Sequence, residues 1–267
     1  MNRTELEMVE ILKGLAGDFG TVSVKAEFEA EGTRDDELLR LIDIAGAAGL
    51  PLTLKIGGCE ALRDLYQAKT FGARYVVAPM IETAYALSKY VGAIDLAYDP
   101  QERESSDFLF NVETETGFNS LDEMIAGLEN VSSIAGIVFG RVDFLGSLGL
   151  PRSDIMAEEV TAVALEISDK ARLANLDLVV GGGVSSDSLP ALVRIQEVHL
   201  TRFETRKVVF DGRAVKIPAI ASGLISAVKF ELLWLRNKRE YYARAAKEDD
   251  SRIEMLEKRW AGMGTKN

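Results

Sequence analysis

A chain of 267 residues with a net charge of −11 repels phosphate backbones and anionic lipid surfaces, which excludes nonspecific binding to nucleic acid or membrane. The single cysteine, Cys59, and single histidine, His199, leave no internal disulfide, thiolate zinc site or His-rich metal centre. With 47% hydrophobic residues and six prolines, the chain can bury one large core, and its length suits a single α/β barrel of roughly 250 residues.

In chain order, residues 4–15 place Leu6, Val9, Ile11, Leu12 and Leu15 at helical spacing. Charges interrupt this apolar pattern, so it does not read as a signal peptide, and no later run reaches the ~18 apolar residues of a spanning helix. A cytoplasmic protein is expected. Thr21 to Ala30 alternates, with Val22, Val24, Ala26 and Phe28 on one face and Ser23, Lys25, Glu27 and Glu29 on the other. In a closed barrel the charged face would point inward, where Lys25, Glu27 and Glu29 must pair with one another or meet a ligand.

Helical spacing over 35–48, stopped at Gly49, leads to a second strand, 51–56, that ends at Lys55 before Gly57-Gly58. Lys55 stands where a catalytic loop would begin. A helix over 60–71 and a strand over 74–80 follow, and the polar segment 96–107 with its Asp99-Pro100 breaker reads as a surface loop.

Two short apolar runs come next, Phe108 to Val112 and Ile134 to Phe139, each ending near a carboxylate, Glu113 and Asp143. The helix start at Asn119 to Met124 between them makes a strand, helix, parallel strand unit, which puts both carboxylates at one sheet edge. A strand-ending carboxylate is commonly a cap or a solvated charge. As a pair, the two can hold a divalent cation with open positions for a chelating substrate. Gly140 and Arg141 at the second strand end are expected to touch that substrate.

A long helix over 155–174 leads to a strand at 176–180 and the run Gly181-Gly182-Gly183, whose backbone N–H groups, at Gly182 and Gly183 above all, can face an anion. The same run also serves as a plain tight turn. A last strand, 198–203, would carry His199, Thr201 and Arg202, with Arg202 a substrate-binding candidate and His199 a core residue. From Pro218 to Ala261 the pattern is one or two helices whose late aromatics need a neighbouring subunit to cover them. The expected organisation is therefore a barrel over 1–217 and a helical extension over 218–267 for homo-oligomer contacts.

The motifs Ala78-Pro79-Met80-Ile81-Glu82-Thr83, Val112-Glu113-Thr114, Leu121-Asp122-Glu123-Met124, Gly140, Asp143 and Ser147-Leu148-Gly149 together resemble the HpcH/HpaI aldolase and citrate lyase family, over roughly residues 50–150. The resemblance implies a TIM-type (β/α)8 barrel and a metal-dependent carbon–carbon lyase or aldolase. Its substrate would be a 2-oxo acid of the pyruvate or oxaloacetate kind, and the cation, Mg2+ or Mn2+, would stabilise the enolate. Glu113 and Asp143 would be the metal ligands, and Lys55 would stand where the family has an arginine beside the keto oxygen.

This sequence departs from the family where the latter's first-strand histidine is expected, since it reads Glu27-Phe28-Glu29-Ala30. The proton-transfer group must then be a metal-bound hydroxide, Lys25, Glu27, Glu29 or a group from another subunit. Lys25 and Lys55 are also candidate Schiff-base amines. Only seven parallel strands are legible, so the barrel is expected to be irregular at its first strand. Two other readings stay open: a noncatalytic barrel kept for ligand binding or scaffolding, and an isomerase acting on a phosphorylated sugar at the glycine run.

Overall fold

The structure, a computed structural model, describes residues 1–264. The chain opens with α1 (Arg3–Phe19), β1 (Thr21–Glu27), α2 (Asp35–Ala47), β2 (Leu52–Lys55), α3 (Leu62–Thr70), β3 (Tyr75–Ala78), α4 (Ala84–Ala97) and a short α5 (Pro100–Arg103). It continues through β4 (Asp107–Val112), α6 (Glu115–Asn119), α7 (Leu121–Ala126), β5 (Ile134–Gly140), α8 (Arg141–Ser147), α9 (Glu158–Leu173), β6 (Asp177–Gly181) and α10 (Leu189–Val198). The last elements are β7 (Arg202–Glu204), β8 (Val208–Asp211) and α11 (Ile220–Gly264). The strands close in sequence order into an eight-stranded barrel.

Strands β1 to β7 run parallel, each joined to the next by a segment long enough for a crossover. The eighth is different. β8 returns antiparallel to β7 after three residues, Thr205 to Lys207, and pairs antiparallel with β1, where a bulge sits between Thr21 and Ser23. Thr205 pins this tight hairpin by donating its backbone N–H to the Val208 carbonyl at 2.9 Å and accepting from Val208 N through its hydroxyl at 3.2 Å. The barrel is thus irregular at the first strand, as expected, through the β1 bulge, and also at the last, where a hairpin replaces a βα unit.

The strand expected over 198–203 is also corrected. Leu192 and Ile195 are buried at helical spacing, and α10 runs on to Val198. His199 closes that helix, its N–H donating to Ile195 O and its Nε2 lying 2.8 Å from Leu176 O. Burial of one helix face outweighed the local alternation of Val198 to Phe203.

Two apolar regions hold the barrel. The large one lies between sheet and helices, while a small one of Val77, Leu109, Val138 and Val179 plugs the barrel's interior. One residue pair further toward the carboxyl ends of the strands, the inward positions become Asn111, Gly140 and Gly181 in place of apolar groups.

Helix α11 is 45 residues long. Its first half packs antiparallel on α1, with Gly223 against the Phe19 ring, Lys229 paired to Glu7 at 2.8 Å and Asn237 donating to Glu5 at 3.2 Å. It thus fills the place of the barrel's eighth helix, and only its distal part extends away from the barrel. The expected boundary at 217/218 falls just before α11, and residues 265–267 of that expected extension lie outside the described residues. Among the described residues no helix is long and apolar enough to cross a membrane.

Candidate active site at the carboxyl ends of the strands

At the carboxyl mouth of the barrel is a cavity of ≈ 430 Å³. It is lined by the ends of β1, β2, β4, β5, β6 and β7, where barrel loops gather functional groups. Lys25, Glu27, Lys55, Glu113, Gly140, Asp143, Gly182 and Gly183 all line it. Sequence alternation put the charged face of β1 inward, and Lys25 and Glu27 are indeed buried there.

Glu113 is 3% exposed and held from three directions. Met80 N donates to its Oε1 at 3.0 Å, while Asn111 Nδ2 at 2.6 Å and Lys55 Nζ at 3.4 Å donate to its Oε2. Met80 reaches this carboxylate only because its φ is +53°, a left-handed conformation that a non-glycine residue adopts at a cost. A Cβ on Gly140 would lie 2.7 Å from Glu113 Oε2, so the glycine makes room for the acid. Gly140, expected to touch substrate, lines the cavity and leaves Glu113 its space.

The motifs around this acid also have mechanical roles. Thr114 donates to Glu82 at 2.7 Å and accepts from Gly117 N at 3.0 Å, capping α6. Ser147 accepts from Glu115 N at 2.9 Å, tying the loop after β4 to the end of α8.

Asp143 lies in the first turn of α8 and is exposed. Its side chain makes no hydrogen bond or ion pair to any described residue, so it is not a cap, and it sits as an exposed charge at the favourable N-terminal end of α8. Asp143 lines the cavity that Glu113 also lines.

A second charged group fills the β1 and β7 side. Lys25 pairs with Glu204 and, at 3.1 Å, with Glu27. Burial alone would lower the Lys25 pKa, but the two carboxylates outweigh it and hold it well above the ordinary lysine range. Burial would raise Glu27, yet Lys25, with Lys55 and Arg206 behind it, keeps its carboxyl below the usual value. Gly181 gives space to Glu204 as Gly140 does to Glu113, a Cβ there lying 3.0 Å from Glu204 Oε1. Lys55 bridges the two groups, 3.4 Å from both Glu29 and Glu113.

Arg141 is 3% exposed and donates to Gly181 O at 3.1 Å and Gly182 O at 2.8 Å. With no carboxylate beside it, burial pulls its pKa down to about 10. It does not line the cavity but fixes the glycine turn. Gly182 and Gly183 have φ of +78° and +60°. A Cβ on Gly182 would meet Val142 N at 2.7 Å, so close backbone packing alone requires a glycine there.

Arg202 is not brought into the site. It pairs with Asp177 at 2.8 Å and stacks on Tyr75 at 4.4 Å, at the start of β6 and β3, the amino end of the barrel. Asn111 and Glu204 are site residues the sequence reading missed. Asn111 was legible, since it shares the inward face of β4 with Leu109 and Glu113; Glu204 becomes visible only once β7 is shortened to its true start.

The lining carries six carboxylates (Glu27, Glu29, Glu113, Asp143, Glu204, Glu231) against four cations (Lys25, Lys55, Arg152, Arg206). Among the described residues no three His, Cys, Asp or Glu side chains converge on a metal position. Two carboxylates with substrate and water completing the shell suit Mg2+, which dehydrates reluctantly. Glu113 and Asp143, both on this mouth, are oxygen donors of the kind such an ion takes. Asn111 Oδ1 adds a buried oxygen without a hydrogen-bond partner in the same wall.

A closed α/β barrel whose strand ends deliver paired acids and lysines to one mouth is an enzyme-type barrel. The profile of the HpcH/HpaI aldolase/citrate lyase family matches residues 57–189, and the chain belongs to that family. No curated protein matches it in sequence. Among solved structures, it is similar to the citrate synthase SbnG, with 19% identity over 84% of this chain and 89% of that one and a TM-score of 0.57. It is also similar to an HpcH/HpaI aldolase/citrate lyase family protein from Burkholderia cenocepacia J2315, with 13% identity, 90% of both chains covered and a TM-score of 0.58. RipC from Yersinia pestis follows at 14% identity, 79% and 87% coverage and 0.50. At these identities the likeness is one of fold.

Proposed function

We propose that this protein is a divalent-metal-dependent carbon–carbon lyase or aldolase acting on a 2-oxo acid of the pyruvate or oxaloacetate type. The observation that carries this reading is that the exposed, unpartnered Asp143 lines the same cavity as the buried, triply held Glu113. Mg2+ or Mn2+ between them would draw electron density from the keto oxygen of the bound acid. The protein's part is to hold Glu113 in one orientation and to keep a cation, Lys55, beside it.

Lys25 is a poor base and a poor Schiff-base amine, because its two carboxylate partners keep it protonated. Glu27 is engaged by the same lysine. Of the candidate bases, Glu29 has the most open side chain, 35% exposed, and faces the cavity from the end of β1. It is the group we assign to moving the proton that the family's histidine would move.

The exposed apolar residues Ile253, Leu256, Trp260 and Met263 recur at spacings of three and four along the distal part of α11. That is the seam of a helix that packs on another helix, which supports a homo-oligomer.

The test is loss of pyruvate methyl protons in D2O, with and without Mg2+. Mg2+-dependent exchange that falls at least about a hundredfold in Glu113→Gln and Asp143→Asn is expected. Exchange that needs no metal, or survives both substitutions, refutes the reading.

A further inference from the structure

Three of the four cations in the cavity wall are already neutralised within the protein. Lys25 has Glu204 and Glu27, Lys55 has Glu29 and Glu113, and Arg206 has Glu31 at 3.1 Å with Glu27 behind it. Arg152 is the exception. Its side chain is exposed and makes no hydrogen bond or ion pair to any described residue, although Asp143 lines the same mouth.

The position of Arg152 is nonetheless set. It starts a 3-10 turn, Arg152–Met156, whose Ile155 is buried against Gly183, a Cβ there lying 2.7 Å from Ile155 Cδ1. That contact ties the backbone of Arg152 to the β6 loop, on the same side of the mouth as Asp143. A guanidinium placed there offers a planar fork of donors that matches a carboxylate or phosphate.

We propose that Arg152 is a specificity residue that binds a second anionic group of the substrate, a carboxylate or phosphate, at the rim of the mouth. This rests on the lyase reading for its meaning as an acceptor subsite, but the binding itself does not. An anion reaching the rim meets one guanidinium that no carboxylate of the described residues takes up, and that is Arg152. Uncharged acceptors gain nothing from it.

The experiment titrates the full chain, in Mg2+ buffer, with succinate and separately with inorganic phosphate by calorimetry, and repeats both with Arg152→Gln and Arg152→Lys. Binding of either anion that weakens at least about tenfold in Arg152→Gln, and less in Arg152→Lys, is expected; whichever anion shows the larger loss identifies the group. If the wild-type protein binds neither anion, or Arg152→Gln binds as well as wild type with an unchanged melting temperature, the proposal is overturned. A second arm compares aldol addition of pyruvate to 4-oxobutanoate, glyceraldehyde 3-phosphate and butanal. Selective loss with the charged aldehydes supports the subsite, and equal loss with all three overturns it. Anion binding that depends on Arg152 without any addition chemistry keeps the subsite and removes the lyase reading instead.

Discussion

Replacing Gly140 with alanine sets two effects of opposite sign against each other. Gly140 has φ −93° and ψ 90°, a conformation alanine adopts freely, so backbone entropy alone would stabilise the variant by about 0.4–1 kcal/mol. The new methyl, however, would stand 2.7 Å from Glu113 Oε2 and 2.8 Å from its Cβ. Ordinary contact requires several tenths of an ångström more, and Glu113 cannot swing away cheaply because Met80 N and Asn111 Nδ2 hold it at 3.0 and 2.6 Å. Overpacking of this kind costs about 1–3 kcal/mol, so the clash decides the sign. Net destabilisation of up to about 2 kcal/mol should lower the melting temperature by several degrees for a chain this size. The displaced carboxylate should also reduce Mg2+-dependent pyruvate exchange by about a hundredfold, the usual cost of a misplacement near 1 Å. Differential scanning calorimetry and the exchange assay read the two effects separately. A variant that is more stable than wild type and retains full exchange would show that Glu113 is not held as described.

Lys25→Met strands Glu204 and Glu27 in the wall without their shared cation, and chemical denaturation should show a loss of about 3–5 kcal/mol, largely restored by adding Glu204→Gln. The same pair gives a pH signature. The Glu27 pKa is depressed on folding, so its contribution is present above the ordinary carboxylate range and lost as pH falls through the lowered value. The Lys25 pKa is raised, so its contribution is full below the ordinary lysine range and lost as pH rises through the higher value. Stability of the wild type should therefore be flat across neutral pH and fall in acid and strong alkali, and Lys25→Met should flatten both flanks; an unchanged profile would refute the pairing. Deleting residues beyond Ala246 removes the Ile253, Leu256, Trp260 and Met263 stripe but spares the contacts of α11 with α1 and α2. Light scattering should then show a smaller assembly with an unchanged barrel melting transition, and an unaltered mass would discount the stripe as a contact surface.

Local patterning carried much of this protein. Short apolar runs ending in Lys55, Glu113 and near Asp143, spaced by helix-length segments, already place those groups at one end of a parallel sheet. The alternation of β1 already turns Lys25 and Glu27 toward the barrel's centre. These features depend on residues a few positions apart, and strand and helix periodicity are properties of just such intervals.

What only the tertiary structure decided joins positions far apart in the chain. The Lys25 to Glu204 pair spans 179 residues, and the need for glycine at 140 and 181 comes from acids on neighbouring strands. Arg141, which looks like an anion binder in the sequence, spends its donors on two backbone carbonyls across a sheet, and Arg202 sits at the opposite end of the barrel once β7 is found to start late. The closure itself turns on an antiparallel β8 of four residues, too short to announce a strand alone and stable only because β1 and β7 satisfy both its edges. Periodicity tells a segment which face to bury; which partner waits on that face is settled only when the barrel closes.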